Sequence, residues 1–324
     1  MKYIFKIFLG MVLLLTINVS AQDYHLSQYD ASPVMLNPAY TGMMKGQNRL
    51  TLFFRDQWNV LSSKYLTNGA AFDTKFKNRW GFGGYLLNNG IPNSFNSFNF
   101  VLSGAYEIAQ KAVNEKKYSL RVGLQAGIVY QSVRGNNLTF NNQWSDGNFD
   151  TDIPSGENTQ KLNKTVPDFN YGITFINLNE NKKFNPYAGF SLFHLTSPKL
   201  SFYNNTDIGL PRRWVLHGGT KIKILDKLTL DPKILLMWQG QASEYNVGLM
   251  GYYQLNTDYA AALGCSYRFK DAMIAHIALG FKNLVYRISY DVNTSPLNAF
   301  SHSRGGWEIS VIYMNVPMNK LSFY

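Results

Sequence analysis

Apolar and polar residues alternate with a period of two along most of the chain. Between Tyr118 and Gln131, Leu120, Val122, Leu124, Ala126, Ile128 and Tyr130 share one face. Ser119, Arg121, Gly123, Gln125, Gly127 and Gln131 share the other, with Val129 the exception. Successive side chains of an extended strand point to opposite faces, so this is a strand with one apolar side. The pattern recurs in Tyr286, Ile288 and Tyr290 against Arg287, Ser289 and Asp291, and in Trp307, Ile309, Val311 and Tyr313 against Glu308 and Ser310. Met273, Ala275, Ile277, Leu279 and Phe281 alternate with His276, Gly280 and Lys282, and His217, Lys221 and Lys223 form the polar set of 214–224.

Counting such segments predicts about fourteen strands, near 48–59, 66–76, 79–89, 95–109, 117–132, 167–176, 184–195, 212–224, 227–239, 244–255, 258–269, 272–282, 284–293 and 305–314. Their length of ten residues or more exceeds the roughly five or six usual in soluble sheets and matches a tilted crossing of a bilayer. The long connections 133–166, 196–211 and 294–304 are all odd-numbered, and most even-numbered ones are tight. Short turns on one side and long loops on the other are the habit of outer-membrane barrels. The expected fold is therefore all-β, a transmembrane up-and-down antiparallel barrel of about 14 strands spanning 48–314. Lipid would touch its apolar face, and Arg121, His217, Arg268, His276, Arg287, Asp291 and Glu308 would line the lumen. On the lipid side each Arg or Lys at mid-bilayer would cost about 2–4 kcal/mol.

The N-terminus sets the compartment. Lys2 and Lys6 precede an apolar run from Ile7 to Leu15, and Val19-Ser20-Ala21 places small residues where signal peptidase cuts. Residues 1–21 are thus expected to be a signal peptide cleaved near Ala21. No later apolar run approaches the roughly 20 residues of a membrane helix. Residues 22–47 carry Pro33 and Pro38 and no sustained period, which predicts an irregular periplasmic N-terminal segment or a plug. The tail 315–324 ends on Phe323-Tyr324, an aromatic terminus of the kind read by barrel-insertion machinery.

Composition agrees with a lipid-exposed chain. Charged residues make up 16% and aromatics 15%, against about 25% charged in an ordinary soluble domain. The formal charge of +11 falls to +9 without Lys2 and Lys6, since no acidic residue precedes Gln22. The basic residues are dispersed, so anionic headgroups or an acidic partner fit better than nucleic acid. The single cysteine, Cys265, can make no internal disulfide and is read as lipid-facing or packing. The histidines His25, His194, His217, His276 and His302 have no metal-ligand spacing, and the glycines of 81–84 precede no helix. No catalytic, cofactor or metal site is expected. A solute-selective porin and an outer-membrane hydrolase are the rival readings.

The strongest local signature is Gln28-Tyr29, then Leu36-Asn37-Pro38-Ala39-Tyr40-Thr41-Gly42, then Arg55-x-Gln57-Trp58. Pro38 fixes its own φ and biases Asn37 to extended backbone, and Gly42 can take a positive φ. These pieces, in this order, resemble the PorP/SprF family of Bacteroidetes type IX secretion. Pro167-Asp168-Phe169, Tyr290-Asp291-Val292 and Gly306-Trp307-Glu308-Ile309-Ser310 add to the likeness. The sequence departs from the family pattern after Trp58, where Ser62-Ser63-Lys64-Tyr65 replaces a Gly-Ala-Pro-like turn. The resemblance implies an outer-membrane barrel of the secretion and gliding machinery. Such a barrel would help export or anchor a large surface protein or adhesin by its C-terminal domain, in contact with other machinery components. On that reading Asn37, Pro38, Tyr40, Gly42, Arg55, Gln57 and Trp58 form a partner-docking or structural motif, and loops 133–166, 196–211 and 294–304 capture the partner.

Overall fold

The computed structural model describes residues 23–315 apart from 58–63, 78, 114–115, 135–139, 146–147, 151, 155, 157–161, 180–181, 203–208 and 297. The expected signal peptide, Trp58, and tail residues 316–324 lie outside the described residues. Fourteen antiparallel strands close into a barrel. They are β1 (Asn48–Gln57), β2 (Tyr65–Phe76), β3 (Trp80–Ile91), β4 (Phe95–Val113), β5 (Lys116–Val133), β6 (Leu162–Asn177) and β7 (Phe184–Phe193), followed by β8 (Arg213–Leu225), β9 (Leu228–Gln239), β10 (Ala242–Gln254), β11 (Tyr259–Arg268), β12 (Ala272–Phe281), β13 (Leu284–Asn293) and β14 (Arg304–Met314). Each strand pairs with its sequence neighbour, and β1 closes on β14 from Arg49↔Met314 to Gln57↔Gly306. Closure leaves no edge, which lets a sheet sit in hydrocarbon with every ladder group paired.

The alternation read from the sequence sorts side chains to the two faces of this wall. Leu124, Leu263, Leu279 and Ile288 point outward and are 54–68% exposed, as expected of side chains that meet lipid rather than protein. Cys265 is also exposed. The inward set includes Arg55, Arg121, Arg268, Arg287, Asp291 and Glu308, all buried. Pro232 sits within β9, and the β8–β9 ladder skips the positions opposite it, between Gly219↔Lys233 and Ile222↔Leu230. A residue with no N–H to give interrupts a ladder in just this way.

Strand boundaries match the expected ones within a few residues, with one larger difference. The sixth strand begins at Leu162 rather than 167, because Leu162–Val166 continue the ladder with Val129–Val133. That extension carries Asn163, Lys164 and Thr165, so no apolar alternation marks it. The connection after β5 is correspondingly shorter and contains a small hairpin, Trp144–Ser145 against Asn148–Phe149.

Both barrel termini, Asn48 and Met314, lie at the short-turn end. The chain before β1 does not stay there. Residues 23–47 pass through the barrel, with Gln47 at the short-turn end beside Lys75 and Asn315. At the other end Asp23 lies beside Gln239 and Arg213, which flank the long-loop rim. Two short turns shape the passage, α1 (Pro33–Leu36) and a 3₁₀ turn over Pro38–Tyr40.

Because the outward face meets hydrocarbon, Leu124→Arg is expected to destabilise the folded barrel by about 2–4 kcal/mol, whereas Leu124→Ile should be near neutral. Urea unfolding in phospholipid vesicles, followed by tryptophan fluorescence, checks this. Equal midpoints for the two variants would contradict the assignment of faces.

Candidate functional site: the filled lumen

The lumen is occupied from rim to rim by residues 23–47, held by four groups of contacts. The first lies under the long-loop rim. Asp23 Oδ2 is 2.6 Å from His194 Nε2 and 3.3 Å from Arg213, while His194 Nδ1 is 3.0 Å from Asp168. His194 takes a φ of +58° just after β7, and this turn aims its ring inward between the two carboxylates. His25 lies 3.6 Å from Glu244.

The second group is ionic and spans the closure seam. Arg55 on β1 donates to Asp291 on β13 at 2.8 Å and to Glu308 on β14 at 3.3 Å, and Arg268 on β11 also reaches Asp291 at 2.9 Å. Ser27 sits at their centre. Its hydroxyl donates to Asp291 at 2.7 Å and accepts from Arg55 at 2.7 Å, and its backbone N–H donates to Glu308 at 2.8 Å. Gln28 completes the seam, donating to the Glu308 carbonyl at 2.8 Å and accepting from Ser310 at 2.6 Å. Buried charge survives only when paired and hydrogen-bonded, and each partner here is supplied by a different strand or by the segment itself.

Below this, Asp30 accepts from Arg287 at 2.7 Å and from Lys233. Apolar side chains then take over. Leu26, Val34 and Met35 pack with inward-facing Phe53, Tyr85, Leu87 and Val101. Ala31 packs with Met250, Val285 and Ile312.

The fourth group is the Asn37–Gly42 turn. Asn37 Oδ1 accepts from the Ala39 N–H at 2.9 Å, and its Nδ2 donates to the carbonyls of Ile173 at 3.0 Å and Phe190 at 3.1 Å on β6 and β7. His217 Nε2 is 3.2 Å from the same nitrogen, and the Tyr40 ring lies tilted against the His217 ring with centroids 5.3 Å apart. Arg121 donates to the carbonyls of Ala39 at 3.1 Å and Thr41 at 2.8 Å. Gly42 has a φ of +69° and donates to Asp73, itself paired with Arg49 at 2.8 Å. The turn fits because four wall strands present no side chain to it, and a Cβ on Gly81 would lie 2.0 Å from the Thr41 carbonyl oxygen. A Cβ on Gly123 would lie 2.3 Å from Pro38, and one on Gly172 would lie 2.0 Å from Asn37. A Cβ on Gly189 would lie 2.4 Å from the His217 ring.

The sequence-predicted residues therefore fall as follows. Asn37, Pro38, Tyr40 and Gly42 are brought together in the lumen, and Arg55 joins Arg268, Asp291 and Glu308 in the seam. Gln57 lies on the inward face at the last position of β1, opposite Gly306. Arg121, His217 and Arg287 touch the segment directly, while His276 is buried against Ser266 at 3.0 Å. The signature motif is buried among the barrel's own strands. Sequence reasoning missed Ser27, Asp30, Lys233, His194 and the part played by Gly81, Gly123, Gly172 and Gly189. The glycines carried a signal, since each sits at an inward position of its strand. Cavities between the segment and the wall are about 20–50 Å³, room for one or a few waters. Among the described residues no cluster of three or more potential metal ligands occurs.

Two outcomes are expected for seating of the segment, read as protection of 23–47 from added protease. Gly123→Val should expose the segment while the strands stay paired, as judged by heat-modifiable gel mobility. Asp30→Asn removes the carboxylate that Lys233 and Arg287 share and should weaken seating by about 3–5 kcal/mol.

Among solved structures, the Ralstonia pickettii toluene transporter TbuX aligns over 87% of this chain and 92% of its own, at 12% identity and a TM-score of 0.51. A Pseudomonas aeruginosa FadL homologue aligns over 86% and 92%, at 11% identity and a TM-score of 0.46. The first likeness supports the same kind of outer-membrane barrel fold. No curated protein matches the chain. The family described as type IX secretion system membrane protein PorP/SprF matches residues 18–313. That match covers the segment in the lumen and every barrel strand but the last residue, and the chain belongs to the PorP/SprF family of type IX secretion membrane proteins.

Proposed function

We propose that this protein is a non-enzymatic docking barrel of the outer membrane, which helps export or anchor a large surface protein by binding that protein's C-terminal domain. The single observation that carries this reading is the filled lumen. Residues 23–47 run its full length, and the cavities described above between the segment and the wall measure about 20–50 Å³. A partner then has the two ends of the barrel to bind, not its axis. The long-loop end, taken as the outer side because short turns are periplasmic in such barrels, offers the connections after β5, β7 and β13. The short-turn end would face machinery components in the periplasm.

The Asn37–Gly42 motif and Arg55 act in this reading as internal structure. They hold the wall rigid so that the loops are presented in one arrangement, which lowers the ordering cost of docking. Cleavage near Ala21 would make Asp23, which lies at the outer mouth, the second residue of the mature chain. The porin alternative requires an open polar path, and the buried Ser27, Asp30 and Asn37 contacts stand across it.

Purification from native membranes under mild detergent is expected to recover a large exported protein with the barrel. Removing 134–161 should reduce that recovery at least tenfold while heat-modifiable mobility persists. In planar bilayers the intact barrel should show no steady conductance, and Gly123→Val should introduce it. A lone barrel that conducts steadily would favour the porin instead.

A further inference from the structure

The outer girdle of the barrel is aromatic on most strands. Near the long-loop end, outward positions carry Trp214, Trp238, Tyr245, Tyr267, Tyr290 and Trp307. Such rings hold the headgroup level of a bilayer. On β2–β4 the girdle changes character. At the same outward parity stand Asn68, Asn88 and Asn96, followed by Ser132 at the end of β5 and Arg134 just beyond it.

Register makes these residues one site. Leu66, Gly90, Asn96 and Ser132 lie opposite one another across four strands, and Asn68 lies opposite Asn88 in the row beneath. Gly90 supplies the hollow. It has a φ of +153°, and a Cβ there would meet the Phe95 carbonyl at 2.1 Å, so the row has a gap in its middle. The result is a groove of about 400 Å³, far larger than any of the lumen cavities described above. Tyr130 and Phe95 form part of its wall. None of the three asparagine amides nor the Arg134 guanidinium makes a side-chain hydrogen bond to another described residue, although the asparagines are half-buried.

We propose that this groove binds the phosphorylated sugar headgroup of a glycolipid in the outer leaflet. The groove lies on the membrane side of the wall, not in the lumen. Primary amides both donate and accept, which suits sugar hydroxyls. Arg134 supplies a planar cation for phosphate at the rim, and Tyr130 offers a ring face beside the sugar. Directly below, outward Leu86, Phe100 and Ile128, each 41–44% exposed, continue an apolar surface for acyl chains. The volume falls within the roughly 300–1,000 Å³ of small-ligand sites and is concave, unlike a protein-docking face. The site stands independently of the partner role proposed above.

Native mass spectrometry of the full barrel in detergent tests it. The probes are a bisphosphorylated diglucosamine lipid, its dephosphorylated form, phosphatidylethanolamine and free glucosamine 6-phosphate. The unaltered barrel should retain one copy of the first and at least tenfold less of the others. Replacing Asn68, Asn88 and Asn96 by Leu suits an outward position, so folding should persist by gel mobility while retention falls at least tenfold. Arg134→Ala should erase the preference for the phosphorylated form, and Trp238→Leu on the opposite girdle should change neither. Equal retention by all variants would overturn the site. Equal binding of free glucosamine phosphate, or capture of a polypeptide by the same patch, would overturn the lipid assignment.

Discussion

The buried pairing of Arg55 and Arg268 with Asp291 and Glu308, completed by Ser27, is the constraint on which the interior rests. Four formal charges in a space closed to bulk water are tolerable only because each is met by an opposite charge or a directed hydrogen bond. The wall supplies the charges from β1, β11, β13 and β14, but the geometry closes only when the segment brings the Ser27 hydroxyl and the Ser27 and Gln28 N–H groups. The segment is thus a structural member of the wall's electrostatics, not a filler added to a finished tube.

From that constraint follows a division of labour along the axis. The ionic seam and the Asp30 triad fix the segment's position, since Asp291, Glu308 and Asp30 are the carboxylates that meet the buried Arg55, Arg268, Lys233 and Arg287. The apolar contacts of Leu26, Val34 and Met35 add non-directional burial in the same lumen. The Asn37–Gly42 turn then brings the chain to the short-turn end through a space that Gly123, Gly172 and Gly189 leave empty. Rigid walls and a filled axis suit a scaffold whose variable chemistry lies in its loops and on its lipid-facing surface.

The barrel was legible in the sequence because lipid imposes two requirements that leave a trace in every strand, a minimum length and strict alternation. Leu124 and Ile309 record them plainly. The start of β6 was not legible, because Leu162–Val166 pair with β5 above the apolar band, where polar residues serve as well. Arg55, Arg268, Asp291 and Glu308 were readable as inward by parity, but their mutual contacts depend on which strands close the seam. Residues 23–47 were harder still. Their contacts are with strands up to 282 positions away, as Gln28 is from Ser310, and no local period encodes them. Leu87 and Val101 likewise break the rule of a polar lumen, because they pack with Leu26, Val34 and Met35 of the segment and do not face water.

The run of the segment from one mouth to the other bears on how the cylinder stays shut. Ser27 and Gln28 bridge Arg55 on the first strand to Glu308 and Ser310 on the last. The closing pair of strands is therefore clasped from inside as well as by its own backbone ladder, and a ring without its thread would be weakest where its two ends meet.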